Sequence, residues 1–163
     1  DALMSRGLGD VYKRQGNTNI WGQRLASTIE KIMHYELDTI FNEYDRSAQL
    51  EYPGGITTRS FKGADSFWTG LRSSFPHAKF KVHHVIGRDD KNMPPRAAVR
   101  WSLHGKHDGF GAFSEPTGAE VFVLGITHAE YGELIQGEPK IRREWTLFDE
   151  VSIWKQILMY KKY

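Results

Sequence analysis

The sequence predicts an α+β domain, and three observations carry that prediction. Apolar residues recur first at helical spacing, then alternate as in strands, then return to helical spacing near the end. The strand-like runs follow one another through loops with no helix between them, which is the order of an α+β protein and not of an α/β one. The length, 163 residues, suits one hydrophobic core.

Taken in order, Trp21, Leu25, Ile29, Ile32, Met33, Leu37, Ile40, Phe41 and Tyr44 step by three and four. This spacing predicts one long amphipathic helix over residues 20–44, with Asn17, Thr18 or Asn19 as its N-cap. Residues 48–52 read as a short extended piece that Pro53-Gly54-Gly55 turns back. A second helix is expected over 64–74, with Phe67, Trp68 and Leu71 on one side and Pro76 ending it. The period then falls to two. Strands are expected from Lys79 to Ile86, over 97–104, over 120–131 and over 140–149, joined as an antiparallel meander. Val151, Trp154, Ile157 and Leu158 restore helical spacing in the tail, and Asp149 stands where its N-cap belongs.

Residues 1–15 fit neither period, and Ser5 to Gln15 resembles the translated sequencing-adapter scar found at the ends of metagenomic protein predictions. They are expected to be non-native and disordered, leaving residues 16–163 as the single domain. Without them the formal charge drops from +2 to +1, and no basic stripe remains to suggest nucleic acid. The apolar runs are too short to cross a bilayer, and no secretory signal is visible. The chain has no cysteine, so disulfides and Cys-based zinc are excluded; a cytoplasmic location is the expectation. Aromatic residues reach 13%, enough to fill a small core or to line a pocket.

The seven histidines do not make a metal site by spacing. His83 and His84 diverge on a strand, and His104-x-x-His107 has no third ligand nearby. No HExxH, no Gly-x-Ser-x-Gly elbow and no phosphate loop is present.

The runs VRWSLHGKHDG from Val99, PTGAEVFVLGITH from Pro116 and REWTLFDEVSIWKQI from Arg143 resemble the SnoaL-like polyketide cyclases, of the nuclear-transport-factor-2-like superfamily. YPGG from Tyr52, Gly63 and FPHAKF from Phe75 fall where that family places them, so the resemblance spans about residues 25–157. It implies a cone-shaped fold in which a bent sheet wraps helices around an apolar cavity, often as a homodimer through the outer sheet face. It also implies an intramolecular aldol cyclisation without metal or organic cofactor, using one carboxylate on the last long strand and a histidine on the strand before. Glu144 matches the carboxylate, although the family's residue is an aspartate one methylene shorter, and His128 lies on the preceding strand. In place of the Arg-x-Asp of the superfamily's epoxide hydrolases, the chain has Arg100-Trp101-Ser102.

Strand parity sharpens this. Arg142, Glu144, Thr146 and Phe148 share one face. If that face lines the cavity, burial raises the pKa of Glu144 toward the range of a useful general base; if it faces outward, Glu144 belongs to a cross-strand salt bridge. His128 is either a hydrogen-bond donor to an enolate or a structural histidine. The expected enzyme cyclises or isomerises a small hydrophobic carbonyl compound. Glu144 and His128 are its catalytic pair, with Phe41, Trp101, Ile126, Arg142, Thr146 and Phe148 around the substrate. Neither nucleic acid nor membrane is an expected partner. The alternative is a non-catalytic small-molecule binder on the same fold.

Overall fold

The computed structural model describes residues 16–132 and 137–160; the adapter-like residues 1–15 lie outside them. The element order is α1 (Ile20–Met33), α2 (Asp38–Glu43), β1 (Tyr44–Tyr52), β2 (Ile56–Arg59), α3 (Ser60–Ser74), β3 (Lys79–Arg88), β4 (Arg96–Lys106), β5 (Glu120–Tyr131), β6 (Ile141–Phe148) and α4 (Glu150–Tyr160). The α+β class holds.

The expected helix over residues 20–44 is instead α1, a turn, and the short α2, with Tyr44 opening a strand. Asn19 caps α1 through the Trp21 amide. The helix ends as a Schellman-type turn: Glu36 N–H donates to the Lys31 carbonyl, and Tyr35 takes a left-handed φ of 68°. A tyrosine there is strained, and tertiary contacts hold it. Its hydroxyl donates to the Pro76 carbonyl at 2.6 Å, and the Arg72 guanidinium lies over its ring. Long-range contacts thus override a local pattern that reads as continuous helix.

Six strands form one sheet in the order β2-β1-β6-β5-β4-β3. The run from β3 to β6 is the expected antiparallel meander. The sheet as a whole is mixed, because β1 pairs parallel with β6. That pairing sets Leu50 beside Glu144 and brings the first strand of the chain onto the last. Strand β2, which has no clear alternation, forms the edge as the return arm of a hairpin through Pro53-Gly54-Gly55, where both glycines have positive φ.

One face of the sheet packs on α1 and α3. Val99, Trp101 and Leu103 from β4, and Val121, Val123 and Ala129 from β5, are buried there against Leu25, Ile29, Ile32, Trp68 and Leu71. Gly125 stands opposite Trp101 in the ladder, and a Cβ there would lie 2.2 Å from the indole, so only glycine lets the ring lie flat on β5. Helix α4 is capped by Asp149, whose carboxylate accepts from Ser152 N–H at 3.0 Å, as expected. Among the described residues no helix is long and apolar enough to cross a membrane.

Candidate active site

Strand β6 turns Glu144, Thr146 and Phe148 toward the helices and leaves Arg143 and Leu147 on the outer side. Arg142 breaks the parity. The β5–β6 register shifts between Glu130 and Tyr131, and Ile141 takes the inward place. Arg142 consequently lies exposed in a polar groove on the outer side with Ser47, Gln49, Glu130 and Arg143, away from the helices.

Glu144 is 0% exposed. Its Oε1 accepts a short hydrogen bond from the Tyr44 hydroxyl, and that hydroxyl in turn accepts from Trp68 Nε1 at 3.0 Å. Tyr44 comes from the start of β1, Trp68 from the buried side of α3, and Glu144 from β6. Oε2 has no hydrogen-bond partner, and neither has the Tyr52 hydroxyl, on a residue only 3% exposed. Tyr52 bears on the carboxyl electrostatically but stands outside hydrogen-bond geometry.

Burial pushes the Glu144 pKa up to about 7, with the hydrogen bond from Tyr44, then the nearby Tyr52 and Trp68, pulling the other way. Burial, and next the charge of Glu144, raise the Tyr44 and Tyr52 phenols well above their ordinary value. Both tyrosines are therefore neutral donors near pH 7, facing a carboxyl poised to gain or lose a proton.

A cavity of about 620 Å³ opens beside this cluster, between β1, β2, α3 and the end of β6. Its lining grades from exposed to buried: Arg59 and Lys62 at the mouth, Phe67 and Phe148 along the wall, Tyr52 and Leu71 at the floor. Tyr52 stacks on Phe67 with ring centres 3.8 Å apart, and Phe67 lies 6.0 Å from Phe148. Tyr52 thus belongs both to the cavity lining and to the surroundings of Glu144.

The remaining sequence candidates scatter. His128 does not meet Glu144: it stands on the outer face of β5, stacked on Trp145 with ring centres 5.2 Å apart. The next residue along β5, Ala129, is the one opposite Glu144, so the one-residue offset puts the imidazole on the wrong side of the sheet. Ile126 shares that outer face and is half exposed. Phe41 is exposed on α2 with its ring against Phe61. Trp101 is core, its indole donating to Thr127 Oγ1 at 3.1 Å, and Thr146 is buried on the same Thr127 hydroxyl at 2.9 Å. Of the expected substrate contacts, Phe148 lines the cavity. Arg100 is exposed and Ser102 bonds to His83, so this strand builds no catalytic pair.

Sequence reasoning missed Tyr44, Tyr52 and Trp68. Trp68 and Phe67 were legible as an apolar helix face, but Tyr44 was hidden in a helical stripe, and no local pattern marks Tyr52 as more than a residue before a turn.

No protein-family model matches the sequence, nor does any curated protein. Solved structures do. A provisionally assigned SnoaL-like polyketide cyclase from Jannaschia sp. CCS1 superposes with a TM-score of 0.65 at 14% identity, over 86% of this chain and 96% of its own. IdmH, provisionally a polyketide cyclase, from Streptomyces antibioticus, gives 0.65 at 19% identity over 85% and 98%. AclR, provisionally a hydroxylase, from Streptomyces galilaeus, gives 0.60 at 15% identity over 83% and 77%. Such identities speak for architecture and not for reaction. The chain has the fold of the SnoaL-like polyketide cyclases.

Proposed function

We propose that this protein is an acid/base enzyme acting on a hydrophobic carbonyl compound, by intramolecular aldol cyclisation or by isomerisation, with Glu144 as the proton-transfer group. The observation that carries the reading is a wholly buried carboxyl, pushed up to about 7, whose Oε1 is held by Tyr44 and whose Oε2 is unengaged. A general base with a pKa near the working pH combines a large ionised fraction with real proton affinity.

In the proposed cyclisation, Glu144 Oε2 takes a proton from the carbon beside a carbonyl and an enolate forms. The enolate carbon attacks a second carbonyl carbon of the same molecule, making one carbon–carbon bond. The resulting alkoxide recovers the proton from Glu144, so the carboxylate is regenerated. Tyr52, a buried neutral donor without a partner, is the group suited to hold the enolate oxygen. This is the role sequence reasoning gave to His128.

One observation favours the second reading, a non-catalytic binder: the cavity reaches Tyr52 but Glu144 itself is sealed. Catalysis requires the Tyr52–Phe67 stack to part when substrate enters. The two readings separate in a turnover screen of aromatic and polycyclic diketones, run on wild type and Glu144→Gln. Catalysis predicts turnover by wild type and a loss of at least about a hundredfold in the variant, the usual share of a general base. Binding without turnover, or equal turnover by both proteins, overturns it.

The same reading includes a homodimer through the outer sheet face. Its support is a run of exposed apolar side chains on two adjacent strands there: Phe122, Leu124 and Ile126 on β5, and Leu147 on β6.

A further inference from the structure

The mouth of the 620 Å³ cavity is cationic, while its wall is aromatic. Arg59 ends β2 and Lys62 lies in the first turn of α3; both are exposed and neither makes a salt bridge among the described residues. They meet at the start of α3, where the Ser60 hydroxyl accepts from the Lys62 amide at 3.2 Å and the helix dipole adds positive potential at the same point. The other charged group on the rim is Glu150, on the first turn of α4. Its carboxylate lies against Gly54, where a Cβ would meet it at 2.7 Å. The cations therefore outnumber the acid. Further in stand Phe67 and Phe148, and at the floor the buried, unpartnered Tyr52 hydroxyl.

This gradation specifies a ligand. An anionic group held at the mouth gains charge-assisted hydrogen bonds from Arg59 and Lys62. A flat apolar body then lies along the Phe67 and Phe148 rings, and an oxygen at its inner end reaches the Tyr52 hydroxyl. A ligand apolar at both ends leaves that hydroxyl unsatisfied. We infer that the cavity selects flat hydrophobic acids, entering ring first, with the carboxylate retained between Arg59 and Lys62. This rests on the reading of the cavity as the substrate site, and it narrows the carbonyl substrate to one that also bears an anionic end.

Calorimetric titration of 6-hydroxynaphthalene-2-carboxylate, whose ring hydroxyl supplies the inner oxygen, and of its neutral amide at low ionic strength tests the inference. The acid is expected to bind wild type about tenfold more tightly than the amide, a margin that shrinks as salt screens the mouth. The preference should vanish in Arg59→Gln/Lys62→Gln and survive in Arg59→Lys/Lys62→Arg, which keeps the charges. It should also survive in Glu144→Gln, because that carboxyl is not at the mouth. Equal affinity for acid and amide, binding of neither, or a preference that outlives the double Gln substitution overturns it. The titration needs no turnover. Loss of the acid preference with Glu144-dependent turnover intact removes this inference alone, whereas the acid preference without Glu144-dependent turnover removes only the proposed reaction.

Discussion

Replacing Glu144 by Gln should change how stability depends on pH more than it changes stability at any one pH. The carboxyl is pushed from its ordinary 4.5 to about 7 in the folded protein, chiefly by burial. Below the unfolded value both states hold the proton and the buried position carries no penalty. Between the two values the unfolded chain has already ionised while the folded one resists, so the unfolded state is favoured increasingly as pH rises. Above the folded value the penalty is constant. At 1.36 kcal/mol for each unit of separation, the full penalty is about 3 kcal/mol. Gln keeps an oxygen to accept from Tyr44 but does not ionise, so its variant lacks this slope. The measurement is urea unfolding of both proteins from pH 4 to pH 8. Wild type should lose about 3 kcal/mol relative to the variant across that range, most of it between about pH 4.5 and 7. Parallel pH profiles would refute the assignment of a buried, elevated carboxyl, and an opposite slope would mean that Glu144 is held ionised by a cation.

Removing the Tyr44 hydroxyl should drive the carboxyl higher still. A hydrogen bond to a charged acceptor contributes about 1.5–3 kcal/mol against about 0.5–1.5 kcal/mol to a neutral one, so the Glu144 midpoint in Tyr44→Phe is expected about one unit higher, near pH 8, followed by carbon-13 NMR of labelled glutamate. A midpoint at or below the wild-type value shows that Tyr44 does not stabilise the anion. On the outer face, Leu124→Arg with Leu147→Arg should convert a dimer to a monomer in light scattering at micromolar concentration; a wild type that is monomeric removes that interface.

The division between what could and could not be read from residues follows the range of the interactions involved. Strands β3 to β6 and helix α4 are set by local periodicity, and the alternation over residues 120–131 has the bounds of the observed strand. Parity along β6 was legible, and it grouped Glu144 with Thr146 and Phe148. What parity did not contain was the register shift at Glu130 and Tyr131, which moves Arg142 outward. A bulge is fixed by how two strands meet and leaves little mark on either. The α1–α2 break is a similar case, since its support comes from Pro76 and Arg72, some forty residues away. Tyr44 lies just past that break. Its apolar spacing fits a helix, yet the residue serves as the first inward position of a strand that pairs parallel with β6. His128 failed differently. Its position on the right strand was legible, but the facing of β5 against β6 was needed to see that Ala129, and not His128, stands opposite Glu144.

The chemistry of the buried cluster follows from the direction of its hydrogen bonds. An indole N–H donates and has no lone pair to accept with, so Trp68 fixes the Tyr44 oxygen as its acceptor. The single Tyr44 proton is then left for Glu144 Oε1. With Oε1 already accepting, a protonated Glu144 carries its proton on Oε2, the oxygen without a partner. The same chain serves both ionisation states, since Oε1 accepts from Tyr44 whether the carboxyl is charged or neutral. Proton exchange therefore needs no rearrangement of Trp68 or Tyr44, and it takes place at a single oxygen. The energetic consequence is that reorganisation is confined to the side of Oε2. In the proposed reaction, motion of the Tyr52–Phe67 stack would couple the cavity to the carboxyl, with Tyr44 and Trp68 holding Glu144 in place.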